Sequence, residues 1–205
     1  IRAQQGKPAA PSEAERETVR SEIAAHAQSP RPRMDWEPAA RFRERAFGLA
    51  STVEEVDAPA AVPAAVARYL KANTLPLAAV CWPELKVLDW RSAGIEIAVR
   101  AARDSDLVGS TGAFCAIAET GTLMTLSGTD TPATVSLLPE THIAVVSASR
   151  IVRGMEEAWQ LLRDEVKQPP RAVSFISGPS RTADIEQTVT LGAHGPYRVH
   201  IILTR

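Results

Sequence analysis

The spacing of apolar residues changes at Leu77, and this change constrains the fold more than any other feature of the 205-residue chain. Before Leu77 apolar residues recur every three or four positions, as in amphipathic helices, whereas after it they form short runs rich in β-branched residues. Runs without polar alternation, such as residues 143–146, indicate strands covered on both faces. We therefore expect an N-terminal helical arm, residues 1–51, followed by a mixed, largely parallel α/β sheet in residues 52–205.

Four helices and seven strands are expected on these grounds. The first helix begins at Ser12, which has the capping-box spacing to Glu15, and the second begins at Asp35 and buries Phe42. The other helices are expected at 59–72 and 154–166, and the strands at 78–82, 95–99, 106–109, 122–126, 143–147, 172–177 and 199–203.

The charge balance argues against nucleic-acid and membrane partners. The chain carries 23 basic and 24 acidic residues, spread evenly, without the concentrated basic surface that nucleic-acid binders show. No apolar run approaches the roughly 20 residues that span a bilayer. Residues 1–11 lack the apolar core of a signal peptide, so we expect a cytoplasmic protein with no membrane span.

Cysteines and histidines give no metal signature. Cys81 and Cys115 are the only cysteines, which excludes a disulfide framework and is too few for the ligand set of an iron–sulfur cluster. No His-x-x-x-His spacing links the four histidines, so a zinc site is not expected either. We therefore expect neither a metal nor a cofactor in this chain.

Two blocks of small and hydroxyl-bearing residues, the first at 109–112 and the second at 119–122, could let the backbone approach a ligand. They lie between Arg103 and Arg150, in a segment without any Lys or Arg. Neither block matches a Walker A loop or a dinucleotide fingerprint, and composition by itself favours core strands with Thr-rich turns over a pocket floor. The candidate ligand contacts in these blocks are Thr111, Gly112, Thr120, Gly121 and Thr122.

A third block, around Ser180, predicts an anion-binding loop. It follows an expected strand, turns through Gly-Pro and opens a short helix with Ser180 as N-cap and Arg181 and Thr182 in the first turn. Backbone N–H groups, the positive end of the helix dipole and a guanidinium would meet an anion at the carboxyl end of a parallel strand. The alternative, equally open, is that Ser180 only caps the helix while Arg181 pairs with Asp184 or Glu186.

Glu119 and His194 are the candidate catalytic residues. His194 lies in a Gly-rich turn, where an imidazole can face a cleft and act as a general acid or base. Glu119 begins the second small-residue block, and we expect it to meet Arg181 in one shared site at the carboxyl ends of strands. No G-x-S-x-G elbow is present, so a hydrolase triad is not supported.

Together these blocks resemble the lactate-utilisation protein C family, also called the LUD-domain family. They occur in the expected order and span residues 109–203, whereas the arm before about residue 52 carries little of the resemblance. The matching blocks are Thr111-Gly112, the Ala-Ile-Ala-Glu-Thr-Gly-Thr run at 116–122, Ser136-Leu137-Leu138-Pro139 with Thr141-His142, the run at 178–186, and Gly192-x-His194-Gly195-Pro196.

The resemblance implies a fold similar to the NagB/RpiA/CoA-transferase superfamily and a role in oxidising L-lactate to pyruvate, beside two partner proteins that carry iron–sulfur clusters. We therefore favour an accessory or ligand-binding subunit that takes a small anionic ligand and is not itself a redox carrier. The alternative is a transferase-like enzyme acting on a phosphorylated or CoA-linked small molecule, with Glu119 as nucleophile or base and Arg181 holding the anion.

Overall fold

The computed structural model describes residues 1–28, 30–183 and 189–205. These residues form two compact units, Ile1–Arg33 and Met34–Arg205. Within the described ranges, no helix combines the length and the apolar character needed to cross a membrane.

The smaller unit contains one long helix, α1 (Glu13–Ala25), and none of the residues in this helix is buried. The Ser12 hydroxyl accepts from the Glu15 N–H, and the Glu15 carboxylate accepts from the Ser12 N–H, so the expected capping box is confirmed. Arg2 also donates to Glu15 at 2.8 Å. The bond from Arg2, followed by those from Ser12 and Lys7, lowers the pKa of Glu15 to about 2.

The larger unit is built on a six-stranded sheet in which every neighbouring pair of strands is parallel. In chain order, the strands are β1 (Thr52–Val56), β2 (Ala78–Cys81), β3 (Glu96–Val99), β4 (Val108–Gly112), β5 (Cys115–Ile117), β6 (Thr122–Leu126), β7 (Thr141–Ser147), β8 (Ile151–Val152), β9 (Val173–Ile176), β10 (Arg181–Ala183), β11 (Val189–Leu191) and β12 (Arg198–Thr204). The central sheet has the order β1-β12-β7-β4-β2-β3.

The remaining strands form a second sheet and a hairpin. The second sheet has the order β8-β5-β6-β9, in which β6 runs antiparallel to both of its neighbours and β8 runs parallel to β5. Strands β10 and β11 pair with each other, antiparallel. The parallel central sheet confirms the expected α/β class.

Helices and the second sheet cover the two faces of the central sheet. The helices of the larger unit are α2 (Pro38–Gly48), α3 (Val62–Ala72), α4 (Thr134–Leu137) and α5 (Met155–Glu165). On one face, Val66 and Leu70 of α3 join Ile143 and Ile202 in a buried cluster. On the other face lie α2 and the second sheet, whose far side is covered by α5. Both faces of the parallel sheet are therefore buried, as expected from its uninterrupted apolar runs.

Two expected boundaries differ from the structure. Helix α2 begins at Pro38, not Asp35, because the Glu37 carboxylate caps it by accepting from the N–H groups of Ala39 and Ala40. The strand expected at 106–109 is displaced towards the C-terminus, to β4, because Asp106 lies in a loop where it forms an ion pair with Arg100. Strands β1, β5, β8, β10 and β11 were not expected.

Helix α2 lies within the expected N-terminal arm, residues 1–51, but it packs with the α/β domain. This helix belongs to the larger compact unit, and its Phe42 and Ala46 side chains are fully buried in the same cluster as Leu123 and Ile201. The domain boundary expected at residue 51 stays a prediction.

Candidate functional site

The structure places the candidate residues in two separate regions. Thr111 and Gly112 lie at the carboxyl end of β4 in the central sheet. The block that begins at Glu119 follows β5 in the second sheet, and it meets the block around Ser180 at the C-terminal end of α2.

At the C-terminal end of α2, the second and third blocks pack on the same few residues. Gly121 lies against the backbone of Arg45 and Ala46, and Gly178 lies against Leu49. Arg181 donates to the Leu49 carbonyl at 3.1 Å. A cavity of about 440 Å³ opens here. It is lined by Glu44, Arg45, Gly48, Leu49, Glu119 and Thr120.

Hydroxyl groups connect the two blocks directly. Thr120 donates to the Thr122 hydroxyl at 2.8 Å, and the Thr122 hydroxyl is bonded to that of Ser177 at 2.7 Å. These bonds hold the turn after β5 against the segment that leaves β9. The structure thus brings Thr120, Gly121, Thr122 and Arg181 together around one helix end.

The prediction that a helix begins after Ser180 is wrong. Arg181 and Thr182 belong to strand β10, which pairs with β11, and the Ser180 N–H donates to the Pro196 carbonyl. Pairing with the β-branched residues of β11 outweighs the local N-cap pattern. The alternative pairing of Arg181 with acidic residues 184 and 186 lies outside the described residues.

The expected placement of this loop in the parallel sheet is also wrong. The preceding strand, β9, is antiparallel to β6 and belongs to the second sheet. Arg181 therefore lies at the C-terminal, negative end of α2, where carbonyl groups attract a guanidinium. Without a helix N-terminus, the anion-binding role of Arg181 has no support from a helix dipole, and it stays a prediction that rests on the guanidinium alone.

Glu119 and His194 are positioned by different elements. The Glu119 N–H donates to the Arg153 carbonyl at 2.9 Å, which fixes the chain as it leaves β5 beside β8. His194 is exposed in the turn between β11 and β12, where the adjacent Gly195 lies against Ser180. His194 is not among the described residues that line the cavity beside Glu119. Both catalytic roles stay predictions.

Gly121 provides a test of the packing at this helix end. It has a φ of +69°, and a Cβ there would overlap the backbone of α2 at Arg45 and Ala46. Gly94 has a similar φ of +73° but no atom within 4 Å of such a Cβ. We expect Gly94→Ala to lower the free energy of unfolding by about 1–2 kcal/mol, from backbone strain alone. Gly121→Ala should cost about 2 kcal/mol more, because overpacking adds to the strain.

Urea unfolding of the two variants measures this difference. Equal losses in both variants would show that the turn after β5 does not press on α2.

The second region is the carboxyl edge of the central sheet. Within the central sheet, the strand that follows β2 in the chain is β3, which lies beside β2 at the edge of the sheet. The strand that follows β4 within this sheet is β7, which lies on the opposite side of the β2–β4 pair. Because β2 and β4 are neighbours, the direction of the connections reverses between these two strands. In open α/β sheets, ligands bind at such a switch point.

A crevice of about 250 Å³, the carboxyl-edge crevice, lies at this point. It is lined by residues that follow β2, by Gly112 and Ala113 at the end of β4, by the last residues of β7 and β12, and by Pro59 and Val62 at the N-terminal end of α3. Its polar side chains are Glu84, Ser147 and Thr204, and its wall is otherwise apolar.

Glu84 is the chemically distinctive group of this crevice. The residue as a whole is exposed, but its carboxyl group lies against Gly112, where any Cβ would overlap the Glu84 Oε1 atom. Partial desolvation raises the pKa of Glu84, and the nearby Gly112 N–H partly offsets this effect. A carboxyl group with a raised pKa in a crevice is a common feature of functional sites.

Sequence reasoning placed Gly112 in a ligand site but missed Glu84. The available signal was an acidic residue three positions after a buried strand, in the sequence Trp82-Pro83-Glu84 that follows β2. Thr111, by contrast, is fully buried, and its hydroxyl is bonded to His142 Nε2 at 2.8 Å. Of the first block, Gly112 reaches the crevice and Thr111 belongs to the core.

The chain is an α/β protein with an open parallel sheet and a small crevice at the switch point, a position where α/β proteins often bind ligands. A family model described as the LUD domain matches residues 46–204, more than half of the chain, and the chain therefore belongs to the LUD-domain family. The family expected from the sequence blocks is confirmed.

Several relatives bear the name Lactate utilization protein C. The protein from Bacillus licheniformis is 33% identical over 127 residues, which are 60% of this chain and 52% of that protein. The protein from Exiguobacterium sp. is 36% identical over 146 residues, which are 67% of this chain and 61% of that protein. The chain thus spans about half the length of the curated relatives it matches.

A solved structure shares the fold. The crystal structure of a DUF162 family protein from Deinococcus radiodurans superposes with a TM-score of 0.61 at 24% sequence identity, over 82% of this chain and 96% of that one. At this identity the similarity concerns the fold only.

Proposed function

We propose that this chain is a ligand-binding subunit of an L-lactate utilisation system, in which two iron–sulfur proteins carry the electrons. The observation that carries the proposal is its similarity to proteins named Lactate utilization protein C, at 33–36% identity over more than half of the chain. The carboxyl-edge crevice supports the ligand-binding part of the proposal.

The non-redox part of the proposal rests on the side chains available. Oxidation of a 2-hydroxy acid needs an electron acceptor, which flavin, nicotinamide or metal centres provide and protein side chains do not. An iron–sulfur cluster is typically held by four cysteine thiolates. This chain has two cysteines, and both Cys81 and Cys115 are buried with their pKa values raised by burial to about 11, which keeps them protonated.

Reconstitution with purified components tests the proposal. We expect the chain alone to show no visible absorption band and no lactate-dependent reduction of an electron-accepting dye. Dye reduction should appear when both iron–sulfur partner proteins are added, and omitting this chain from the mixture should abolish it. Turnover of lactate by the isolated chain, or full activity of the two partners without it, would contradict the proposal.

A transferase-like activity is the second candidate, favoured by one observation. Glu119 and Arg45 both line the 440 Å³ cavity, which therefore offers a carboxylate that a transferase could use as nucleophile and a cation that could hold an anion. The Glu119→Gln variant distinguishes a transferase-like enzyme from a ligand-binding subunit. A transferase that uses Glu119 loses activity in this variant, whereas a ligand-binding subunit keeps its effect on dye reduction.

A further inference from the structure

The carboxyl-edge crevice has an unusual charge pattern for a protein that acts with an organic acid. Glu84 is the one charged residue among the described residues that line it, and no Lys, Arg or His is among them. A carboxylate such as L-lactate would lose part of its hydration there without meeting a cation. It would also lie beside the Glu84 carboxyl group, which repels it when ionised.

The polar side chains of the crevice are two hydroxyl groups, Ser147 and Thr204, which can donate or accept, and Glu84, which only accepts when ionised. The Ser147 hydroxyl accepts from the Ser149 N–H at 3.3 Å and is bonded to the Ser149 hydroxyl, so its capacity is largely used within the protein. The Glu84 carboxyl group remains as the strongest acceptor on the crevice surface. A ligand that satisfies it must bring an N–H or O–H donor.

The rest of the wall selects for apolar groups. Val62 and Leu85 are buried core residues that extend to the crevice, and Ala113 and Val145 face it from the ends of β4 and β7. The volume of about 250 Å³ is somewhat below that of drug-sized pockets, which are typically about 300–1,000 Å³. The crevice therefore suits a small molecule or one end of a larger molecule.

We propose that the carboxyl-edge crevice binds a ligand that carries an N–H or O–H donor and an apolar group and bears no negative charge. The donor bonds to the Glu84 carboxyl group, and the apolar group packs on Val62, Leu85 and Val145. Lactate itself is excluded from this crevice. The inference deepens the proposed function, because it names the ligand class of the subunit, and it rests on that function only for the expectation that the chain binds a ligand.

A matched series of three-carbon probes tests this selectivity on the whole chain. L-lactamide, L-lactate and 1-amino-2-propanol all carry a hydroxyl and a methyl group but are neutral, negative and positive, respectively. In ¹H–¹⁵N NMR titrations of the labelled protein, lactamide and aminopropanol should shift the amide signals of Gly112 and Ala113 saturably. Lactate should bind at least about tenfold more weakly at these signals.

Two variants identify the group responsible. Glu84→Gln removes the charge but keeps the shape, so the preference for lactamide over lactate should shrink to within about threefold. Glu96→Gln is the matched control, because Glu96 is an exposed glutamate on the edge strand β3 and is not among the crevice residues. It should leave all three titrations unchanged.

Three outcomes would overturn the inference. They are lactate binding as tightly as lactamide at Gly112 and Ala113, an unchanged preference in Glu84→Gln, and no saturable shift of these signals with any probe. Each is read from the isolated chain without partner proteins. A failure here is therefore distinct from a failure of the dye-reduction assay, which concerns the role in lactate utilisation.

Discussion

Replacing Phe42 with alanine should lower the free energy of unfolding by about 3–5 kcal/mol, the usual cost of removing a buried phenylalanine ring. The ring is fully buried and packs in the cluster formed with Leu123 and Ile201, between α2, the second sheet and the central sheet. Its removal leaves a cavity that three different elements would have to close. Urea unfolding followed by tryptophan fluorescence measures the loss.

The same helix supplies the control. Phe47 is 77% exposed, so Phe47→Ala should change the free energy of unfolding by no more than about 0.5 kcal/mol. Similar effects of the two substitutions would mean that α2 is not packed as the structure has it.

Two N-terminal truncations test whether the α/β domain begins at Met34 or at residue 52. Residues 34–205 form a compact unit by themselves, so a fragment that lacks residues 1–33 should still unfold cooperatively. Removal of residues 1–51 also takes away Phe42 and Ala46, which exposes the apolar surface beneath α2 and should cost at least as much as Phe42→Ala. A stable, cooperative fragment 52–205 would support the boundary predicted at residue 51.

Lowering the pH from about 7.5 to about 5 should destabilise the protein by about 2 kcal/mol for each of two buried histidines. His142 is completely buried with its Nε2 bonded to Thr111, and burial lowers its pKa from 6.5 to about 4. His200 stacks on Tyr69 with ring centroids 4.0 Å apart, and burial lowers its pKa to about 4 despite the opposing effects of Glu54 and Thr52.

The sign of the effect follows from proton binding. Below about pH 6.5 the unfolded chain takes up protons on these histidines, whereas the folded protein does not do so until about pH 4. The stabilisation from the two neutral rings is therefore complete above pH 6.5 and is lost progressively as the pH falls to 4.

Urea unfolding across this pH range measures the loss, and His142→Gln should reduce it by about half because one of the two groups is gone. The ring-proton NMR signals of His142 and His200 should stay constant between about pH 8 and about pH 5. Titration of either ring near its ordinary pKa in the folded protein would contradict the prediction.

Local sequence patterns determined most of the helices and the class of the fold. The amphipathic spacing of α3 and α5 and the capping box of α1 depend on residues close together in the chain, so they could be predicted without knowledge of the tertiary structure. The unbroken apolar run of β7 likewise indicated a strand covered on both faces. The family resemblance was readable for the same reason, because it lies in contiguous blocks.

Only the tertiary structure decided which of the candidate residues meet. Arg181 and Thr182 form a strand because β11 pairs with them, and a short N-cap pattern cannot compete with a partner that is distant in sequence. Glu84 faces Gly112 because the order of the central sheet places the exits of β2 and β4 side by side. Strand order is set by which apolar faces can be buried together across the whole domain, and no local spacing in the sequence encodes it.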